Sequence, residues 1–169
     1  DYFVKALEDN FAIHNIPELR KFVGINIMAT EDGLALHQMH YITELAEQYS
    51  MKNANFSVSP VVQFSDFKSA PEVKHPVREL IGSPMYIARN TRPDIAFAVG
   101  YLSRYVNTPS EMLWNAAKRV LRYLIGTADM SLMIKACDNF NIDGFADSGG
   151  ANAFTSSMTA GAAVYVGES

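Results

Sequence analysis

NTRPDIAFAVGYLSRY, residues 90–105, is the stretch that decides the fold reading. Thr91 is a good N-cap, and Asp94 three residues on answers it as a capping box. Pro93 suits a first turn, where its missing N–H has no partner to lose. Ile95, Val99, Leu102 and Val106 then recur at helical spacing. Arg92 and Arg104 flank the segment, which is more charge than a helix start requires.

The helical pattern continues on both sides. Upstream, a helix is expected from about Val77 to Ala88. Downstream, Thr108-Pro109-Ser110-Glu111 reads as N-cap, first helical position and capping box, with Gly126 as the terminating glycine. In that helix Trp114, Ala117, Leu121 and Leu124 form an apolar face. Lys118 and Arg122 lie one turn apart on another face, with Arg119 beside them.

Before these helices, residues 2–12 read as a helix that Pro17 breaks off. FVGINIMATEDGLALH, 22–37, reads as a β-hairpin: Val23, Ile25 and Ile27 alternate in one arm, Leu34 and Leu36 in the other, with Asp32-Gly33 as the turn. Gly24 inside the first arm predicts close approach of another backbone, or a bulge. A helix over 39–50 follows. Residues 52–76, with Pro60, Pro71 and Pro76, form a long loop that Val61, Val62, Phe64 and Phe67 tack to the core. From about residue 131 the period becomes strand-like. NIDGFADSGG, 141–150, is one strand running into a glycine turn, and Ala160, Ala162, Val164 and Val166 mark another.

Composition narrows the function. The chain has 169 residues, 49% of them hydrophobic, and a net charge of −4, which does not by itself announce nucleic acid. No apolar run reaches membrane-span length, so no membrane partner is expected. A single cysteine, Cys137, excludes an internal disulfide and points to a reducing, intracellular setting. The start at Asp1 and the end at Ser169, directly after an alternating run, lead to the expectation of a piece excised from a longer chain. Charge is unevenly placed: residues 89–123 hold Arg89, Arg92, Arg104, Lys118, Arg119 and Arg122 against Asp94 and Glu111. Such an island in an acidic chain is either a phosphate-facing surface or an ordinary solvated helix face.

Signals for independent catalysis are sparse. There is no P-loop, dinucleotide fingerprint or paired-histidine metal motif. His37 and His40 can share a helix face, but no third ligand sits nearby. The Ser-rich 155–159 lacks a nucleophile-elbow pattern. Asp147 ends the strand Gly144-Phe145-Ala146-Asp147 before small residues, the position either of a first carboxylate for a divalent cation or of a turn-forming Asp.

The order of motifs carries a resemblance. FVGINI, then RELIGSPMYIARNTRPDIAFAVGYLSRY, then LWNAAKRVLRYLIGT, then GFADS, resembles the pol polyprotein of copia-type LTR retrotransposons over nearly the whole chain. The resemblance implies the C-terminal part of a reverse transcriptase running into ribonuclease H, an α+β chain in three parts. Residues 1–37 would be the end of the palm with a primer-grip-like β-hairpin, 38–130 a helical thumb and connection, and 131–169 the first strands of a ribonuclease H-like α/β domain. It further implies that Gly24 lets the hairpin backbone approach a primer end. Arg92, Arg104, Lys118, Arg119 and Arg122 would track the phosphates of a template–primer duplex, and Asp147 would be the first nuclease carboxylate and a ligand of Mg²⁺ in the parent enzyme. The other partner implied is the rest of the polyprotein, and the implied location is a cytoplasmic virus-like particle and the nucleus. The paired polymerase aspartates are absent from this chain. Relatives usually read Asp-x-Asp-Trp where this sequence has Asp147-Ser148-Gly149-Gly150, and Pro84 stands where they usually have an apolar helix residue. A domesticated or decayed remnant serving as a protein-interaction module is the rival reading.

Overall fold

The computed structural model describes residues 2–12, 19–60, 67, 71–136, 141–149 and 159–166. His14, Pro17, Val61, Val62, Phe64, Cys137, Gly150 and the serine-rich 155–158 lie outside the described residues. The described elements mix helix and sheet, an α+β arrangement. A short helix α1 (Tyr2–Glu8) precedes three strands, β1 (Lys21–Phe22), β2 (Ile25–Thr30) and β3 (Gly33–His37). Four helices follow: α2 (Met39–Gln48), α3 (Val77–Asn90), α4 (Ala96–Ser103) and α5 (Glu111–Gly126). The chain then returns to strand with β4 (Leu132–Lys135), β5 (Ile142–Gly149) and β6 (Thr159–Val166).

The expected hairpin is present but its details shift. Thr30 pairs with Gly33, so the connecting residues are Glu31 and Asp32, and Gly33 opens β3. Phe22 pairs with Ile25, which leaves Val23 and Gly24 as a two-residue turn between β1 and β2. Both have positive φ, 46° and 75°. This is the signature of a type I′ hairpin turn, whose twist matches that of the flanking strands. Gly24 is therefore not inside a strand, and Val23 does not belong to an alternating arm. A one-residue count of apolar alternation cannot see a turn that reverses the chain after two residues.

β4 pairs antiparallel with β3, Leu34 opposite Ile134 and Leu36 opposite Leu132, giving the sheet order β1-β2-β3-β4. Residues 132–135 thus belong to the hairpin's sheet, across the boundary that sequence reading drew at 131. Gly33 explains the fit. Its φ is +146°, and a Cβ there would overlap the Ile134 carbonyl and stand 2.9 Å from Ala136 N.

The helices supply the core. α3, α4 and α5 pack on one another and α2 packs on α5. Leu80, Ile87, Ile95, Leu102, Leu113, Leu121 and Leu124 are fully buried between them; Ile95, Leu102, Leu121 and Leu124 lie at the helical spacing read from the sequence, while Leu113 takes the buried place expected of Trp114, which is half-buried. Pro84 does not end α3, because it lies buried in this core beside Leu80 and Ile81, where packing offsets the lost backbone bond. Phe67 reaches in from the long loop and meets the rings of Tyr105 and Tyr101 at 5.0 and 6.0 Å. The loop's end is tied down too: Glu72 bridges to Ser110, Val73 N donates to Pro109 O, and His75 Nε2 lies 3.1 Å from Glu111 Oε2. These ties displace the expected cap of α5. Ser110, not Thr108, is the N-cap; its Oγ accepts from Leu113 N, while Glu111 turns to His75.

Among the described residues, β5 and β6 pair only with each other, and every residue of β5 is exposed. An isolated two-stranded ribbon is marginal in water. Among the described residues, no helix is long and apolar enough to cross a membrane.

Gly33→Ala should open the β3–β4 pairing and destabilise the chain by about 2–3 kcal/mol, the range for forced overpacking at a left-handed position. Urea unfolding of the two proteins, with amide exchange at Leu132–Lys135, measures this. Unchanged stability would show that β4 is not held there.

Candidate nucleic-acid interface

The basic residues separate into two groups. Arg92, expected on the surface, is buried at 3% exposure. It follows the end of α3 and precedes a 3₁₀ turn, Pro93–Ile95. Its Nε and Nη2 donate to the two carboxylate oxygens of Asp94 at 2.9 and 2.7 Å. Nη1 donates to the Thr127 carbonyl at 2.8 Å, and Nη2 also reaches Thr127 Oγ1 at 2.7 Å. Asp94 accepts a further bond from the Tyr123 hydroxyl at 2.8 Å, and the guanidinium lies over the Tyr123 ring at 5.4 Å. Arg92 is therefore a structural clamp and is not available to phosphate.

This clamp overturns the capping box. Asp94 is engaged by a bidentate charge-assisted pair, which is stronger than a bond to a backbone N–H. Thr91 is the C-cap of α3, and its hydroxyl donates to Oε1 of the buried Gln38 at 2.9 Å. Burial pushes the Asp94 carboxyl up, but the hydrogen bonds from Arg92 and Tyr123 and the Arg92 charge outweigh it and hold the group below the usual aspartate range. Burial lowers the Arg92 guanidinium, and the Asp94 contacts more than restore it, so the net direction is up. Burial and then Asp94 raise the Tyr123 phenol.

The second group lies outward. Lys118, Arg119 and Arg122 sit on the side of α5 away from the buried Leu113, Ala117, Val120, Leu121 and Leu124. Arg119 is exposed, and Lys118 and Arg122 are half-buried. The Lys118 ammonium lies 5.6 Å from the centroid of the Trp114 ring, which itself stacks on His75 at 4.7 Å. Arg104 is exposed at the C-cap of α4, the helix that packs against α5. A row of cations carried on one rigid helix can meet successive phosphates without reading bases.

The remaining candidates sit apart. Gly24 lies in the β1–β2 turn, where a Cβ would come within 3.3 Å of the Tyr86 hydroxyl. His37 ends β3 rather than sharing a helix face with His40. Its Nδ1 faces Met39 N at 3.5 Å, and His40 pairs with Glu44 at 3.3 Å. Both line a shallow open cleft of about 660 Å³ with Arg20, Asn26 and Thr43. Asp147 is exposed on β5 opposite Gly161, with Asp143 four residues away on the same face. At strand spacing that places the two carboxylates about 13 Å apart, too far to share one cation. Among the described residues, no group of three metal-ligating side chains comes together.

Comparison with known proteins finds relatives among transposon Pol polyproteins. The retrovirus-related Pol polyprotein from transposon RE2 of Arabidopsis thaliana is 33% identical over 146 residues, 84% of this chain and 10% of that one. Its counterpart from transposon RE1 of the same plant is 32% identical over 83% of this chain and 10% of its own length. The chain is related to the Pol polyproteins of copia-type retrotransposons. The Pol polyprotein from transposon TNT 1-94 of Nicotiana tabacum is 33% identical over 78% of this chain and 11% of its own length. The chain thus spans about a tenth of the length of these Pol relatives. No protein-family model matches, and no solved structure gives a significant match.

Sequence reading missed Tyr123, Thr127 and Gln38 as partners of the 91–94 elbow. Arg92→Ala should cost about 1–3 kcal/mol, the penalty for leaving its partners unpaired, since the Asp94 carboxylate is 33% exposed and water can reach it. Arg92→Lys should recover only part of it, since an ammonium cannot grip both carboxylate oxygens and the Thr127 carbonyl together. The pH dependence has a definite sign. The folded Asp94 pKa is lowered, so its contribution is present above the unfolded value of about 3.9 and is lost as pH falls through the folded value. Asp94→Asn should therefore flatten the acid limb of stability between about pH 5 and 2, as urea midpoints measured across that range will read.

Proposed function

We propose that this chain binds a nucleic-acid duplex through its phosphates, as the primer-grip, thumb and connection part of a retrotransposon reverse transcriptase, without a complete active site of its own. The observation that carries the reading is the outward row Lys118, Arg119 and Arg122 on α5, in a chain of net charge −4 related to Pol polyproteins. Arg104 extends that surface at the end of α4. The hairpin β1–β3 is read as the primer-grip element, with the Val23-Gly24 turn as its tip. The pair β5–β6 is read as the opening strands of a ribonuclease H-like sheet, with Asp147 as its first carboxylate. The parent enzyme would be an RNA-directed DNA polymerase with ribonuclease H, using Mg²⁺. The rest of the polyprotein would supply the missing carboxylates and cover the exposed ribbon. The parent element would act in a cytoplasmic particle and the nucleus.

One observation favours a second reading. Ile142 is 70% exposed, and Phe145 and Val164 are similarly open. Apolar surface of this kind suits a remnant that docks another protein.

Titration with a duplex at several salt concentrations separates the two. Phosphate binding is indifferent to sequence, and each lost contact should lower the log–log salt slope by about 0.9. Lys118→Ala/Arg122→Ala should do so without loss of fold, because neither residue is in the core. Absent binding in the wild type, or a full slope in the double variant, would sink the duplex reading.

The same chain, supplied with Mg²⁺ or Mn²⁺, should neither extend a primer nor cut RNA in a hybrid, since two-metal transfer requires several converging carboxylates. Activity that persists in Asp147→Ala would reveal a site outside those described.

A further inference from the structure

The β1–β2 turn holds a β-branched residue at positive φ on an open surface. Val23 has φ 46°, a region that β-branched side chains rarely enter, yet its side chain is 66% exposed and gains little from burial. A type I′ turn ordinarily carries Asn-Gly, which adopts these angles readily. Here a valine is kept at the tip, next to Phe22 at 61% exposure. Something outside the turn must hold it.

One side chain does. The Tyr86 hydroxyl, from α3, donates to the Val23 carbonyl oxygen. Gly24 lets it approach, since a Cβ there would sit 3.3 Å from that hydroxyl. The Tyr86 ring is itself held from α2, edge-on to Tyr41 at 5.7 Å and 89°. The tip is thus tied through Tyr86 to two helices, although it lies 63 residues away in sequence. Strain at an exposed site that neighbouring structure over-determines is a mark of function, because it sets a shape the local sequence would not choose.

We propose that Tyr86 is a positioning residue: it locks Val23 in the left-handed conformation and so aims the apolar tip, Phe22 and Val23, at the end of a bound duplex. The aim rests on the duplex reading above; the lock does not. The tip contributes apolar and backbone contact, so it adds a part of the affinity that salt does not screen.

Two variants and two measurements test this. The one-bond Cα–Hα coupling of Val23 separates positive from negative φ, and duplex titration at several salt concentrations reads affinity and slope. Tyr86→Phe should release Val23 from the left-handed region. It should also weaken duplex binding about fivefold, the yield of one hydrogen bond of ordinary net strength, at an unchanged salt slope. Val23→Asn makes the turn self-sufficient, so adding Tyr86→Phe to it should change binding no further. An unaltered Val23 coupling in Tyr86→Phe overturns the lock. Equal weakening by Tyr86→Phe in both backgrounds, or a lowered slope, overturns the positioning role, because the tyrosine would then act through helix packing or charge. If the wild type binds no duplex, the functional reading and the aim fail together, and the coupling alone still decides the lock.

Discussion

The buried guanidinium of Arg92 is the constraint on which the rest of the molecule depends. It stands at the elbow between α3 and α4 and grips Thr127, the residue that follows α5. Thr91 beside it grips Gln38, the residue that precedes α2. Two adjacent residues therefore fix two exits from the helical body. One leads back into β3 and the other forward into β4, and those are the strands that pair. The helices and the sheet are joined through this elbow. Arginine suits the position, because a planar five-donor group satisfies a carboxylate and a carbonyl together inside a core that otherwise tolerates no charge.

The same commitment removes Arg92 from any surface role. A charge island counted along the sequence contains two kinds of cation. One is paired with a partly exposed carboxylate and holds the fold; of the others, Lys118, Arg119 and Arg122 lie on the outward side of α5, Arg104 ends α4 and Arg89 lies in the last turn of α3. This division sharpens the functional reading, because a solvent-facing row on a rigid helix has a spacing, whereas a count of arginines has none. On the proposed duplex reading, mild negative net charge is no obstacle. The acidic residues are spread over the remainder of the chain, and screening at physiological ionic strength confines their effect to about a Debye length of 8 Å.

The two sheets differ in how complete they are. β1–β4 is tied to the helices by the Tyr86–Val23 hydrogen bond and has Gly33 at a point of close strand approach. β5–β6 has no further strand among the described residues and exposes Ile142, Phe145, Val164 and Tyr165. A ribbon of this kind has little buried surface to hold it in water.

By itself the sequence determined the features whose causes are local. A helix turns once every 3.6 residues, so Ile95, Val99 and Leu102 point inward and Lys118 and Arg122 share a face whatever surrounds them. The hairpin, the α+β class and the kinship with retrotransposon Pol were legible for the same reason, since each lies in contiguous motifs. Tertiary structure alone decided what depends on distant partners. Arg92 meets Thr127 across 35 residues, Thr91 meets Gln38 across 53, and Tyr86 meets Val23 across 63. Each of these long-range bonds captured a group that local rules had assigned elsewhere: a cap hydroxyl, a surface arginine, an alternating valine. A polar side chain near a helix end has several partners of similar strength within reach of its own backbone. The one that prevails is the one that burial leaves without water, and burial is a property of the assembled core.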